Sequence, residues 1–156
     1  MDPLLDALLA WIGDNTAYDV SDIPRPALME LSPEALTREL YADAPQLIPE
    51  DGVDDRLIAL YSHEDGAHGT LYVLGPEHVT GAEAYDDPTD NPIFQEIVLH
   101  ELIHHVQWQT GVADTWPCPS RGEEEAYILG GRYLFETNTP DPIPNRAFWA
   151  HAYSTC

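Results

Sequence analysis

The chain has 156 residues, with 28 acidic and 6 basic side chains, a formal net charge of -22 and a hydrophobic content of 44%. That length predicts a single domain over residues 1–156 with a real but modest core, and the charge argues against nucleic acid and anionic lipid as partners. No internal repeat is visible, no apolar run is long enough to cross a membrane, and every basic residue is an arginine, a balance that fits high solubility, a salty milieu or basic substrates.

The chain opens with an amphipathic helix from Asp2 to Ile12. Asp2 caps it, Pro3 suits its first turn, Leu4, Leu5, Leu8, Leu9 and Ile12 form its buried stripe, and Gly13 is expected to end it. No basic region followed by an apolar segment stands at Met1, so no signal peptide is read; because Asp2-Pro3-Leu4 already opens a helix, Met1 fits the trace of a removed leader. Tyr18 to Met29, with Pro24 and Pro26, reads as extended or irregular. Ser32 then caps a second helix to about Tyr41, after which Pro45 and Pro49 return the chain to loop.

Arg56–Tyr61 and Thr70–Leu74 are two β-rich runs joined by a polar loop with Asp65-Gly66, which predicts a hairpin whose free edge can hold an extended peptide. His63 and His68 in that loop, and His78 after it, read as solvated rather than metal-bound. Asp86–Asn91 is a turn-rich acidic loop whose spacing does not match an EF-hand calcium site.

The chemistry concentrates in the next stretch. Asn91 caps a helix, Pro92 suits its first turn and Gly111 its end, and between them lies His100-Glu101-Leu102-Ile103-His104. Side chains four apart share a helix face, so His100 and His104 can offer two imidazole nitrogens to one metal ion while Glu101 holds the water the metal polarises. This pattern predicts zinc with Glu101 as general base. Ile97, Val98, Leu99, Leu102, Ile103 and Val106 would pack the helix into the core, and His105, turned about a hundred degrees from His104, is expected to be a supporting or surface residue.

A hydrolytic zinc needs a third protein ligand. The helix predicted from Ser120 to Phe135 offers Glu123, which shares a face with Ala126, Tyr127, Gly130 and Leu134, and the costly Gly130-Gly131 pair suggests close packing against the metal helix. Ser120 and Glu123 also spell a capping box; in that case Glu124 is the substitute ligand, or the acidic first turn simply faces the helix dipole. Cys118 and Cys156 form no C-x-x-C pair, and they are either a disulfide, implying a periplasmic or secreted protein, or free thiols of a cytoplasmic one. Pro140–Pro144 reads as loop and Arg146–Tyr153 as a short last helix, with His151 and Tyr153 as remote candidates, beside Tyr127, for stabilising an oxyanion.

The pairing of His100-Glu101-Leu102-Ile103-His104 with Glu123-Glu124-Glu125-Ala126-Tyr127 resembles the gluzincin group of zinc metallopeptidases, and is most similar to small single-domain bacterial gluzincin-like proteins of unknown function. The order of an N-terminal helix with Trp-Ile, a hairpin, the metal helix, a Cys-Pro loop and E-x-x-A-Y extends the resemblance over most of the chain. It implies a zincin-like fold, Zn2+ as cofactor and Glu123 as the third ligand. Many gluzincins carry an acidic residue four positions after that glutamate to steady a metal-bound histidine; Tyr127 stands here, leaving the orienting group unassigned.

The expectation is therefore an α+β, zincin-like chain, a small antiparallel hairpin or sheet packed on helices. As a monomeric zinc peptidase it would use Glu101 as general base and acid on a peptide or protein substrate. Two other classes remain beside it: a catalytically silent zinc-binding module that holds a protein partner, and an acidic nucleic-acid mimic, which rests on charge alone.

Overall fold

The structure, a computed structural model, describes residues 2–156; Met1, and its reading as the trace of a removed leader, lies outside them. Among the described residues are five α-helices and three strands, an α+β arrangement. Helix α1 (Asp2–Asn15) buries Leu5, Leu8, Leu9 and Ile12. It continues through Gly13 because that residue serves packing, not termination: a Cβ there would stand 2.7 Å from Val20 Cγ2.

Strand β1 (Ala27–Leu31) begins in the stretch read as extended or irregular and runs two residues past its end. It follows Pro26, whose missing N–H is harmless at a sheet edge, and it pairs in parallel with β3 (Thr70–Leu74) from Ala27↔Thr70 to Leu31↔Leu74. Strand β2 (Ala59–Ser62) pairs with β3 antiparallel, forming the expected hairpin. The sheet order is β1-β3-β2, so the sheet is mixed rather than wholly antiparallel and β2 lies at its end. Arg56 to Ile58 stay out of β2. The Asp54 carboxylate accepts from the Arg56 backbone N–H at 3.2 Å and from its guanidinium at 2.9 and 2.8 Å, holding a turn where the strand was expected to begin.

Helix α2 (Pro33–Leu40) is capped by Ser32, whose Oγ accepts from the Ala35 N–H. Helix α3 (Pro92–Gln109) runs through the middle of the molecule, with Phe94, Val98, Leu99, Leu102, Ile103 and Val106 all fully buried. Its ends are chemically defined. Asn91 Oδ1 accepts from the Ile93 N–H at 3.0 Å, and Gly111 follows the helix at φ +74°, where a side chain would be strained. A broad apolar surface on α3 meets α1 on one side and the sheet on another, in one cluster with Leu71 and Val73.

Helix α4 (Glu123–Glu136) packs on α3, and α5 (Arg146–Tyr153) packs on α4. The chain from Pro119 to Gly122 is a 3-10 turn, so α4 starts three residues later than Ser120. Cys118 and Cys156 form a disulfide that ties the C-terminal tail to the loop before α4. Among the described residues no helix is long and apolar enough to cross a membrane.

Candidate metal centre

The α3 and α4 interface brings together the residues singled out by their spacing. One turn apart on α3, the His100 and His104 rings stand edge to face, with centroids 5.0 Å apart. The first turn of α4 places Glu123 opposite them, with its carboxylate 3.2 Å from His100 Nε2 and 3.5 Å from His104 Nε2. One ligand atom from each of the three lies within 4.8 Å of the others, and they are the one such group of three or more among the described residues. Two imidazoles and one carboxylate brought this close together form a donor set that could hold a metal ion.

The capping-box alternative does not form. Gly122, not Ser120, occupies the N-cap position, and no side chain caps α4, so the Glu123 carboxylate is free to face the histidines. The close approach of α4 is not explained by Ala126 alone. Gly130 leaves room for a buried ion pair: an added Cβ would lie 2.1 Å from Glu96 Oε1, and one at Gly131 would lie 2.8 Å from Arg146 Cδ. Arg146 Nη1 donates to Glu96 at 2.7 Å with side chains only 8% and 6% exposed, while its Nε and Nη2 hold Asp141. The glycine pair thus admits the guanidinium that locks α5 and the preceding loop onto α3 and α4.

The group that orients a histidine is Gln107, which the sequence reading passed over. Gln107 is 1% exposed, and its amide nitrogen donates to the Gly122 carbonyl at 3.2 Å and to Glu125 at 3.0 Å. Its oxygen therefore faces His104 and accepts the Nδ1–H at 2.9 Å, which directs Nε2 toward Glu123. Glu125 is held in turn by the Tyr18 hydroxyl at 2.7 Å. The available signal was the position of Gln107 three residues past His104 on the same helix face.

His105 is fully buried rather than a surface residue. Its Nε2–H donates to the Pro24 carbonyl at 2.7 Å and its Nδ1 accepts from the Tyr61 hydroxyl at 3.2 Å, while burial, outweighing the carbonyl, pulls its pKa down and keeps it neutral. His63 stacks flat on Trp108 at 3.8 Å, and His78 stands 3.5 Å from Glu77; neither belongs to the three-residue cluster. In the acidic loop, Asp87 is committed to Thr89 as the cap of a 3-10 turn.

Charges at the centre follow from burial and proximity. Glu101 is 8% exposed, and burial pushes its carboxyl pKa up against the opposing pull of the two histidines. Burial would also raise Glu123, but hydrogen bonds from His100 and His104 outweigh it and hold the carboxyl well below the usual carboxylate range. Burial lowers His104, yet Glu123 and Glu101 reverse this and push it up to about 9. His104 and Glu123 thus form an imidazolium–carboxylate pair.

Of the three oxyanion candidates, Tyr127 reaches the site. Its ring meets His100 edge-on at 4.9 Å, and it lines the same cleft as His100, Glu101 and Glu123. Burial, with Glu123 adding to it, pushes its hydroxyl up to about 12, so it remains a proton donor. Tyr153 stacks on Tyr127 at 5.6 Å and is half exposed, whereas His151 is exposed on α5; neither lines the cleft. Ala59 to Tyr61, from the end strand of the sheet, border the cleft on the His104 side together with Trp108. No family model, no curated protein and no solved structure matches the chain, so the geometry of the site carries the functional reading.

Proposed function

We propose that the chain is a zinc-dependent metallopeptidase of the gluzincin type with a zincin-like fold, holding Zn2+ through His100 Nε2, His104 Nε2 and Glu123. The observation that carries this reading is the convergence of those three groups beside the buried carboxyl of Glu101 in an open cleft. The donor set fits zinc, and the ion when bound supplies a Lewis acid and a water acidified to a pKa of about 7.

The protein's own residues do the rest. Glu101, made more basic by burial, takes the proton of the attacking water and passes it to the nitrogen of the leaving amine. Tyr127 donates its hydroxyl hydrogen to the oxygen that becomes negative. Strand β2, at the end of the sheet, offers backbone N–H and C=O groups to an extended peptide, which makes a peptide or protein the favoured substrate. The Cys118–Cys156 disulfide favours a periplasmic or secreted setting, and the charge of -22 disfavours nucleic acid and membrane surfaces.

The test is elemental analysis combined with cleavage of a mixed peptide library, with and without chelator, for wild type and Glu101→Gln. The expected result is one zinc per chain in both proteins, chelator-sensitive cleavage by wild type, and a loss of about a hundred- to ten-thousand-fold in the variant. No metal and no uptake of added zinc would overturn the reading; bound zinc without turnover would leave a binding module.

A further inference from the structure

Glu125, in the first turn of α4, is bonded both to α3 and to the segment that follows α1. Its Oε2 receives the Gln107 amide at 3.0 Å and the Tyr18 hydroxyl at 2.7 Å. Among the described residues none of the arginine ion pairs includes it, so the groups bonded to this carboxylate are neutral donors and its charge is not cancelled by a cation. On its other side the same amide meets His104 Nδ1 at 2.9 Å. A side chain at Gly122 would run into Gln107 Oε1, so the glycine leaves the amide only the space it occupies.

Both N–H groups of the Gln107 amide are used, one on the Gly122 carbonyl at 3.2 Å and one on Glu125. An N–H that donates to a carboxylate makes a stronger bond than one that donates to a neutral oxygen, and it draws electron density onto the amide oxygen. Hydrogen bonds in series strengthen one another where water is excluded, and Gln107 is only 1% exposed. A better acceptor behind Nδ1 makes Nε2 of the same ring a better donor to a metal. Tyr18 keeps the half-buried carboxylate turned toward the amide. Burial, with Glu125 adding to it, raises the pKa of the Tyr18 hydroxyl, so it remains a proton donor. The segment between α1 and β1 also supplies the Pro24 carbonyl to His105 at 2.7 Å, and it thus braces two successive histidines of α3.

Building on the metal reading above, we infer that Glu125 is a positioning residue of the metal centre: anchored by Tyr18, its carboxylate acts through the Gln107 amide to hold His104 with Nδ1 protonated and Nε2 turned toward Glu123. A carboxylate and an amide in series do the work of a carboxylate bonded directly to the ring. The arrangement has a specific consequence. Glu125 loses its influence on His104 once position 107 can no longer transmit it.

The experiment measures zinc affinity by competition with a chelating dye, using the full chain as wild type, Glu125→Gln, Tyr18→Phe, Glu124→Gln, Gln107→Leu, and Gln107→Leu combined with Glu125→Gln. Glu125→Gln should weaken binding by about tenfold, the lower end of the range for groups behind a metal ligand, and Tyr18→Phe should act in the same direction. Glu124→Gln, one residue away, should leave it within about twofold of wild type. In the Gln107→Leu background Glu125→Gln should add less than about twofold, because a residue that acts through another has nothing to add when the carrier is gone. Unchanged affinity in both Glu125→Gln and Tyr18→Phe, or a tenfold effect of Glu125→Gln that survives in Gln107→Leu, overturns the assignment and leaves the three metal ligands intact. A second measurement needs no metal: the NMR position of the His104 Nδ1–H proton in the metal-free protein, which moves downfield as its acceptor strengthens. Glu125→Gln and Tyr18→Phe should both move it upfield while Glu124→Gln leaves it in place. That pattern supports the assignment even where no zinc is taken up, in which case the metal reading falls by itself; a resonance unmoved by both variants overturns it. Should circular dichroism show that Glu125→Gln does not fold, Tyr18→Phe decides, since it leaves the carboxylate in place.

Discussion

Gln107 Oε1 accepts the Nδ1 proton of His104 at 2.9 Å, and the same amide is fixed from behind by Gly122 and Glu125. A neutral amide thus does what a carboxylate often does behind a metal-bound histidine: it selects the tautomer and the ring angle. Gln107→Leu should weaken zinc binding by about 10- to 100-fold while one equivalent still binds at saturation. Competition against a chelating dye measures this, and unchanged affinity would remove Gln107 from the site.

Glu123 and Glu124 are adjacent, but only Glu123 faces the two imidazoles. Glu123→Gln is expected to raise the zinc dissociation constant far more than Glu124→Gln. Isothermal titration of the two metal-free variants decides between them, and the reverse order would transfer the ligand role.

In the metal-free protein His104 holds its proton up to about pH 9, where the usual imidazole value is 6.5, because the Glu123 and Glu101 carboxylates outweigh burial. Zinc must displace that proton. Affinity should therefore rise with pH by up to about tenfold per unit until pH 9 and then level off, with proton release visible in buffers of different ionisation enthalpy. The same shift stabilises the metal-free fold fully below pH 6.5, and this contribution disappears as pH climbs through about 9. A flat affinity between pH 6 and 9 would contradict it.

Glu96 and Arg146 are a buried pair whose space is made by Gly130. Arg146→Met leaves the Glu96 carboxylate uncompensated and should cost about 3–5 kcal/mol. Gly130→Ala should cost about 1–3 kcal/mol by overpacking. Urea unfolding of zinc-free protein reads both, and a neutral Gly130→Ala would show that α4 can yield where the close contact forbids it.

Removing the disulfide through Cys118→Ser with Cys156→Ser opens a covalent loop with a sequence separation of 38. The expected loss is about 2–4 kcal/mol, measured as a lower Tm and urea midpoint. Stability equal to wild type would mean that the tail is held by α5 packing alone.

Helix α3 was legible because its signals are local. Asn91, Pro92, Gly111 and the paired histidines all act within one or two turns, and α3 formed with the expected caps. Strand β1 was not, since it is a sheet edge with little alternation between buried and exposed side chains, and its pairing with β3 joins residues more than forty apart. The Gly130-Gly131 pair announced a close approach but not its object, because Glu96 and Arg146 are brought together only by the packing of three helices. Gln107 looked like any polar residue on a helix until the carbonyl of Gly122 appeared behind it.

The disulfide also divides the centre in a way that distances alone do not express. The cross-linked ring from Cys118 to Cys156 contains Glu123, Glu125, Tyr127 and Arg146, while His100, His104, Gln107 and Glu96 all lie on α3 outside it. One half of the site therefore belongs to a closed covalent ring and the other to the central helix, joined by the Glu123–histidine and Glu96–Arg146 contacts and by the hydrogen bonds of Gln107 to Gly122 and Glu125. A metal ion held by both halves would be a non-covalent rivet, and withdrawing it should let the ring lift from α3 as one cooperative unit, with amide exchange in α4 and α5 quickening together while α3 stays protected.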